Sequence, residues 1–334
     1  SFRLPQEQID AALEGLDPAF VAALEKAARQ IREFHQREVE QSWFTTRPDG
    51  TMLGVKVTPL AAAGIYVPGG RAQYPSTVLM NAIPAKVAGV KRVVMVTPPQ
   101  KDGLISPYTL AAAKLGGVDE IYMVGGAQAV AALAYGTETI PRVDKITGPG
   151  NIFVATAKRL VSGIVGIDAV AGPTEIGIIA DKTADPSLLA ADLIGQAEHD
   201  ELAGSVLFTD STEIAEKVQE SLNYRVPRTE HAERVHTSLS GSQSAIVLTD
   251  SLDQSIDAAN AYAAEHLEIQ TADADAVVPR IKNAGAIFRG PYSPVPLGDY
   301  MSGSNHVLPT GGPARFAAGL GVHTFMKPVE VIEY

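Results

Sequence analysis

The residues best equipped for proton transfer are Glu265 and His266, adjacent in Ala264-Glu-His-Leu-Glu268. A carboxyl and an imidazole side by side can titrate apart, one serving as acid and the other as base near neutral pH. Gln196 and His199 share one face of a helix end in Gln196-Ala-Glu-His-Asp200, where an amide oxygen and an imidazole can both bind a divalent ion. Read singly, the acid–histidine dipeptide is common by chance. The helix-end pair is first a solvated terminus, since two ligands do not make a metal site. Asp299 and His306 fall in Leu297-Gly-Asp-Tyr-Met-Ser-Gly-Ser-Asn-His-Val-Leu-Pro-Thr310, which reads as a long irregular loop whose backbone freedom serves ligand contact.

Four further segments are dense in glycine, proline and polar residues: Gly64 to Gly70 running on to Thr77, Val124 to Gln128, Thr147 to Asn151, and Ala171 to Glu175. Glycines let a ligand approach the backbone, and a glycine pair before a helix offers N–H groups to an anion such as a pyrophosphate. Any one of them, taken singly, reads first as a tight turn. No G-x-G-x-x-G occurs, so a dinucleotide would bind without that fingerprint.

These segments must be held by regular elements. Asp17-Pro18 starts an amphipathic helix with Phe20, Leu24, Ala27, Ile31 and Phe34 on one side, expected to run to about Trp43. A turn at Arg47 to Gly50 then leads into an extended stretch from Thr51 to Leu60. Strands are expected at Gly64 to Val67, Arg92 to Thr97, Glu120 to Val124 and Val143 to Thr147, between helices at Thr77 to Val87, Pro107 to Leu115 and Ala127 to Ala134. A second series follows: strand Glu175 to Ala180, helix Pro186 to His199, strand Ser205 to Thr209, helix Ile214 to Leu222, strand Ala245 to Thr249 and helix Leu252 to Ala264.

Such alternation predicts an α/β protein with two Rossmann-like parallel-sheet domains flanking an active-site cleft. The expected division places 1–65 with 176–320 in a first domain, 66–175 in a second, and 321–334 at the start of a C-terminal segment. Ligands in sheets of this type bind at the carboxyl ends of strands, so the chemistry is expected on strand-to-helix loops.

Composition narrows the classes. The 334 residues carry 27 Lys and Arg against 38 Asp and Glu, a formal charge of -11, which repels nucleic acid and anionic membrane surfaces. With no cysteine, disulfides, thiolate metal sites and a Cys nucleophile are excluded. No apolar run is long enough to span a bilayer, and the first residues do not form a signal sequence. The expected location is the cytoplasm.

From Tyr66 to Pro309 these segments resemble the histidinol dehydrogenases: YVPGG, YPSTVLMNAIPAKVAGV, VGGAQAVAALAYG, GPGN, AGPTE, GQAEHD, AEHLEIQT and GDYMSGSNHVLPT occur in one order. The resemblance implies a zinc enzyme that oxidises L-histidinol twice to L-histidine, through an enzyme-held aldehyde, with two NAD⁺. It implies Gln196, His199 and Asp299 as zinc ligands that also touch substrate, Tyr66, Gln128 and Asn151 as NAD contacts, and Thr174 and His306 as substrate contacts. Within it, His266 takes the alcohol proton and Glu265 activates water. Thr174 stands where the family usually has Ser, which keeps the hydroxyl. The resemblance also implies a homodimer, and it leaves family segments outside both ends of the chain. Among them is a C-terminal segment with a fourth zinc ligand, so the chain alone is expected to be weakly active or inactive. Two other readings stay open: a dehydrogenase of another small polar alcohol, and a ligand-binding relative without catalysis.

Overall fold

A computed structural model describes residues 2–69 and 75–334. Residues 70–74, in the middle of the first glycine-rich segment, lie outside the described residues. The chain runs α1 (Gln6–Asp10), α2 (Pro18–His35), β1 (Trp43–Thr46), β2 (Met52–Pro59), β3 (Ala62–Tyr66), α3 (Pro75–Val87), β4 (Arg92–Thr97), α4 (Pro107–Gly116), β5 (Glu120–Met123), α5 (Gly126–Tyr135), β6 (Lys145–Thr147), α6 (Ile152–Val161) and β7 (Gly166–Ile167). It continues with β8 (Glu175–Ala180), α7 (Pro186–Ala197), β9 (Gly204–Thr209), α8 (Thr212–Arg225), α9 (Ala232–Ser240), β10 (Ala245–Leu248), α10 (Leu252–Tyr262), β11 (His266–Gln270), α11 (Ala274–Val277), β12 (Ala286–Arg289), α12 (Val295–Tyr300) and β13 (Met326–Glu333).

The α/β expectation holds. Two five-stranded sheets form, ordered β5-β4-β3-β6-β7 and β10-β9-β8-β11-β12, and every pairing within them is parallel. In each sheet the first strand sits centrally and the order reverses beside it, between β3 and β6 and between β8 and β11. The central strand β3 of the first sheet and β11, next to the centre of the second, are buried at every position, as strands covered on both faces must be. Among the described residues no helix is long and apolar enough to cross a membrane.

The chain divides into two compact units, Ser1–Val170 with Asp299–Val307 and Leu320–Tyr334, and Ala171–Gly298 with Leu308–Gly319. The N-terminal residues therefore join the β3–β7 sheet rather than the β8–β12 sheet expected for 1–65. The cause is packing: Leu24, Ala27, Ala28 and Ile31 of α2 enter the same core as Leu79, Ile83 and Met95. Residues 321–334 also end in regular structure, β13 pairing antiparallel with β2 along its whole length.

Two local expectations change. The helix from Pro18 stops at His35, followed by a short 3-10 turn at Gln36–Glu38. Trp43 and Phe44 instead enter β1 and pair with β2 across the turn at Arg47 to Gly50, a strand position that suits aromatic residues. The stretch expected as loop around Asp299 contains the short helix α12, with Asp299 inside it.

Candidate active site

In the second unit, β8 and β11 are adjacent parallel strands with His266 opposite Ile176. Thr174 and Glu265, each just ahead of one of these strands, are thereby brought together at the sheet's amino edge. Thr174 Oγ1 donates to Glu265 Oε2 at 2.5 Å, and the Glu175 N–H donates to the same oxygen at 3.2 Å. Gln196 Nε2 donates to Thr174 Oγ1 at 3.0 Å. An amide, a hydroxyl and a carboxyl thus form one hydrogen-bonded chain, with Gln196 8% and Glu265 6% exposed. His266 Nδ1 lies 3.3 Å from the Glu175 carbonyl. A carbonyl only accepts, so that nitrogen carries the proton and Nε2 is the basic one.

Local sequence explains the placement. Asp185 caps α7 from Ser187 N, with Pro186 at its first position. The helix ends at Ala197, so Gln196 occupies its last turn and His199 lies beyond it, exposed. After α10, Ala263 takes φ 57, a left-handed conformation that costs a non-glycine residue about 1 kcal/mol and turns the chain into Glu265. Gly285 packs on the same corner: a Cβ there would sit 2.5 Å from the Glu265 carbonyl oxygen. Burial pushes the Glu175 carboxyl above its ordinary value, although the Gly311 N–H donates to it at 3.0 Å.

The chemistry was expected at carboxyl ends of strands; in this unit Thr174, Glu265 and Gln196 stand at the amino edge. The reason is that Ala171 to Glu175 leads into a strand instead of leaving one, a polarity that glycine content alone does not reveal.

In the first unit the candidate NAD contacts stand at the carboxyl ends of strands. Tyr66 ends β3 and the Gly148–Asn151 loop follows β6, on either side of the order reversal. Tyr66 is 4% exposed and its hydroxyl accepts from the Gly126 N–H at 3.0 Å. Gln128 is exposed in the first turn of α5. Asn151 caps α6, its Oδ1 accepting from Phe153 N and Val154 N. In the same unit His306 Nδ1 lies 3.0 Å from the Asp299 carbonyl. Sequence reasoning missed Lys158 and Asp168. These form a buried ion pair that brackets Gly148, whose N–H donates to Asp168 at 2.7 Å and whose carbonyl accepts from Lys158 at 3.0 Å. The available signal was a lone lysine in the apolar run Ile152 to Val161.

Among the described residues no group of three or more His, Asp or Glu side chains lies close enough to hold an ion by itself. The donor types of Gln196, His199 and Asp299, two oxygens and one imidazole nitrogen, fit a divalent transition ion. Gln196 spends an amide N–H on Thr174, which leaves its carbonyl oxygen as the atom available to ligate. Gln196 and His199 belong to the second unit and Asp299 to the first.

Fold and site together define a class: paired doubly wound α/β units with an acid–imidazole pair. A propionaldehyde dehydrogenase from Clostridium phytofermentans shares the fold, with a TM-score of 0.56 at 14% identity over 99% of this chain and 93% of that one. A histidinol dehydrogenase from Elizabethkingia anophelis matches with a TM-score of 0.95 at 36% identity, over 100% of this chain and 77% of that one. The histidinol dehydrogenase of Bifidobacterium longum is 70% identical over 346 residues, covering 100% of this chain and 74% of that protein. The family profile of histidinol dehydrogenase matches residues 1–334. The chain belongs to the histidinol dehydrogenase family and is an oxidoreductase. It spans about three quarters of the length of these relatives.

Proposed function

We propose that the protein oxidises L-histidinol to L-histidine in two NAD-dependent steps that close histidine biosynthesis. The observation that carries this reading is the Gln196–Thr174–Glu265 chain beside a His266 whose Nδ1 is tied to a carbonyl. Gln196, His199 and Asp299 would hold zinc, which when bound would serve to orient the amino alcohol, and NAD would supply the hydride acceptor.

His266 Nε2 takes the hydroxyl proton as the C–H electron pair leaves the carbinol carbon, giving the aldehyde. Glu265 then takes a proton from the water whose oxygen bonds to the aldehyde carbon, and the hydrate loses the second hydride. Thr174 fixes the Glu265 carboxyl, and its hydroxyl, with His306, contacts substrate. Tyr66, Gln128 and Asn151 contact NAD at the order reversal of the first sheet, where open α/β sheets bind dinucleotides. The same reading makes the protein a cytoplasmic homodimer, to be checked by sedimentation.

The test is NADH release from L-histidinol and NAD⁺. Two NADH per L-histidine are expected, with loss on chelation and recovery on adding zinc. His266→Asn lowers the rate about 10²- to 10⁴-fold. Glu265→Gln releases one hydride promptly and the second slowly. Rates indifferent to both substitutions would refute the assignment.

A further inference from the structure

His35 ends α2 with 0% exposure, and the reaction above makes no use of it. Its Nδ1 lies 2.7 Å from Glu38 Oε2, and the same oxygen accepts from the Val322 N–H at 3.0 Å. On the far side of the ring, His35 Nε2 stands 3.4 Å from Asn305 Nδ2. Asn305 is buried and directly precedes His306, the residue assigned to substrate. Its Oδ1 accepts from the Val307 N–H at 2.9 Å, so the side chain closes a turn with His306 at its middle. Its Nδ2 donates to the Met80 carbonyl at 2.7 Å.

This last contact has a cause in the sequence. The helix donor to the Met80 carbonyl would come from residue 84 of α3, and that residue is proline, which has no N–H. A buried carbonyl deprived of its helix donor is costly, and the Asn305 amide meets it. Because Asn305 Oδ1 faces an N–H and Nδ2 faces a carbonyl, the amide has one orientation. His35 Nε2 therefore meets a donor and must accept, so the ring proton sits on Nδ1 and points to Glu38. Burial raises the Glu38 carboxyl, but the His35 ring and the Val322 N–H outweigh it and hold the group below its ordinary value. The loop meets α2 a second time at Gly303, where φ is +94 and a Cβ would sit 2.5 Å from the Gln30 carbonyl oxygen.

We propose that His35, as its neutral Nδ1–H tautomer, is a positioning residue for His306: it holds Asn305, and Asn305 holds the turn from which His306 reaches substrate. The proposal rests on the reading of His306 as a substrate contact. Two amide variants separate the two sides of the ring. His35→Asn can keep a donor towards Glu38 in place of Nδ1 but leaves Asn305 without its acceptor, whereas the longer His35→Gln can offer an oxygen where Nε2 stood.

In the holoenzyme, KM for L-histidinol should rise about 10-fold in His35→Asn, the order of one hydrogen bond. The kcat should stay within a few-fold, since a contact made alike in ground and transition states shows in KM. His35→Gln should keep KM within a few-fold of the parent, although both variants lose stability to a similar extent in urea. Combining His35→Asn with Asn305→Ala should raise KM no further than the larger single effect, because the two residues act in series.

Nitrogen-15 NMR of histidine-labelled protein supplies a reading independent of activity. At neutral pH the resting protein should show a ring with Nδ1 protonated and Nε2 bare, its signal missing from His35→Gln. A protonated Nε2 on that ring would overturn the tautomer. KM unmoved in His35→Asn, KM raised alike in His35→Asn and His35→Gln, or single effects that multiply in the double variant would overturn the link to His306. Failure of the substrate reading shows elsewhere, as KM unmoved in His306→Ala; that removes the functional half of the proposal while the tautomer result stands.

Discussion

Lys158→Met should destabilise the first unit by about 3–5 kcal/mol, the usual cost of removing one partner from a buried ion pair. Lys158 is 2% exposed, so the methionine fills the space of the lysine stem while the charge disappears. Asp168 then keeps the N–H donors of Gly148 and Ala169 at 2.7 Å each but loses its cation, and the Gly148 carbonyl loses its donor. Asp168→Asn leaves the lysine buried without a counter-charge, a loss of similar size. The double variant contains no buried charge and should fall only about 1–2 kcal/mol below the parent, the value of one or two lost hydrogen bonds. The summed single effects then exceed the double by about 4 kcal/mol or more, a coupling that urea unfolding followed by far-UV circular dichroism measures directly. Single losses that simply add, or a Lys158→Met loss under about 1 kcal/mol, would refute the view that this pair acts as one buried unit.

Two further outcomes follow from contacts described above. Gly148→Ala places a Cβ 2.2 Å from the Tyr66 carbonyl oxygen at φ +107. It should cost about 2 kcal/mol or more and weaken NAD binding, measured by calorimetry, with smaller effect on zinc uptake. Thr174→Val removes the hydroxyl between Gln196 and Glu265 and strands two polar groups, a loss of about 1–3 kcal/mol. That should appear as a fall of roughly 10- to 100-fold in kcat/KM, while Thr174→Ser stays within a few-fold.

Much of the framework was legible because its signals are local. β4, at Arg92–Thr97, and β8, at Glu175–Ala180, begin and end where their β-branched and apolar runs do. Helix starts at Pro18, Pro107 and Pro186 coincide with a cap followed by proline. What escaped depends on partners outside the segment itself. β1 and β13 exist because β2 lies between them, β13 joining it from residues 326–333, and no pattern within Trp43 to Thr46 announces a strand. α6 escaped because Ile152, Phe153 and Leu160 are exposed, so its outward face is as apolar as its inward one.

The site was legible in the same uneven way. Thr174, Gln196 and Glu265, far apart in sequence but each in a motif singled out there, are joined by hydrogen bonds. Spacing did not reveal the edge on which they meet, since that depends on which glycine segment enters a strand and which leaves one. Glu268 also gave no sign: an acid normally faces water, and only the tertiary fold buries this one, at 0% exposure in β11.

Trp43, in the exposed edge strand β1, is the molecule's one tryptophan. Ultraviolet emission excited at the indole band therefore watches the small antiparallel sheet and is blind to the β8–β12 half. A fluorescence melt and a circular dichroism melt of the same sample would sense different parts of the molecule. Any temperature gap between the two traces would directly reveal the order in which those parts come undone.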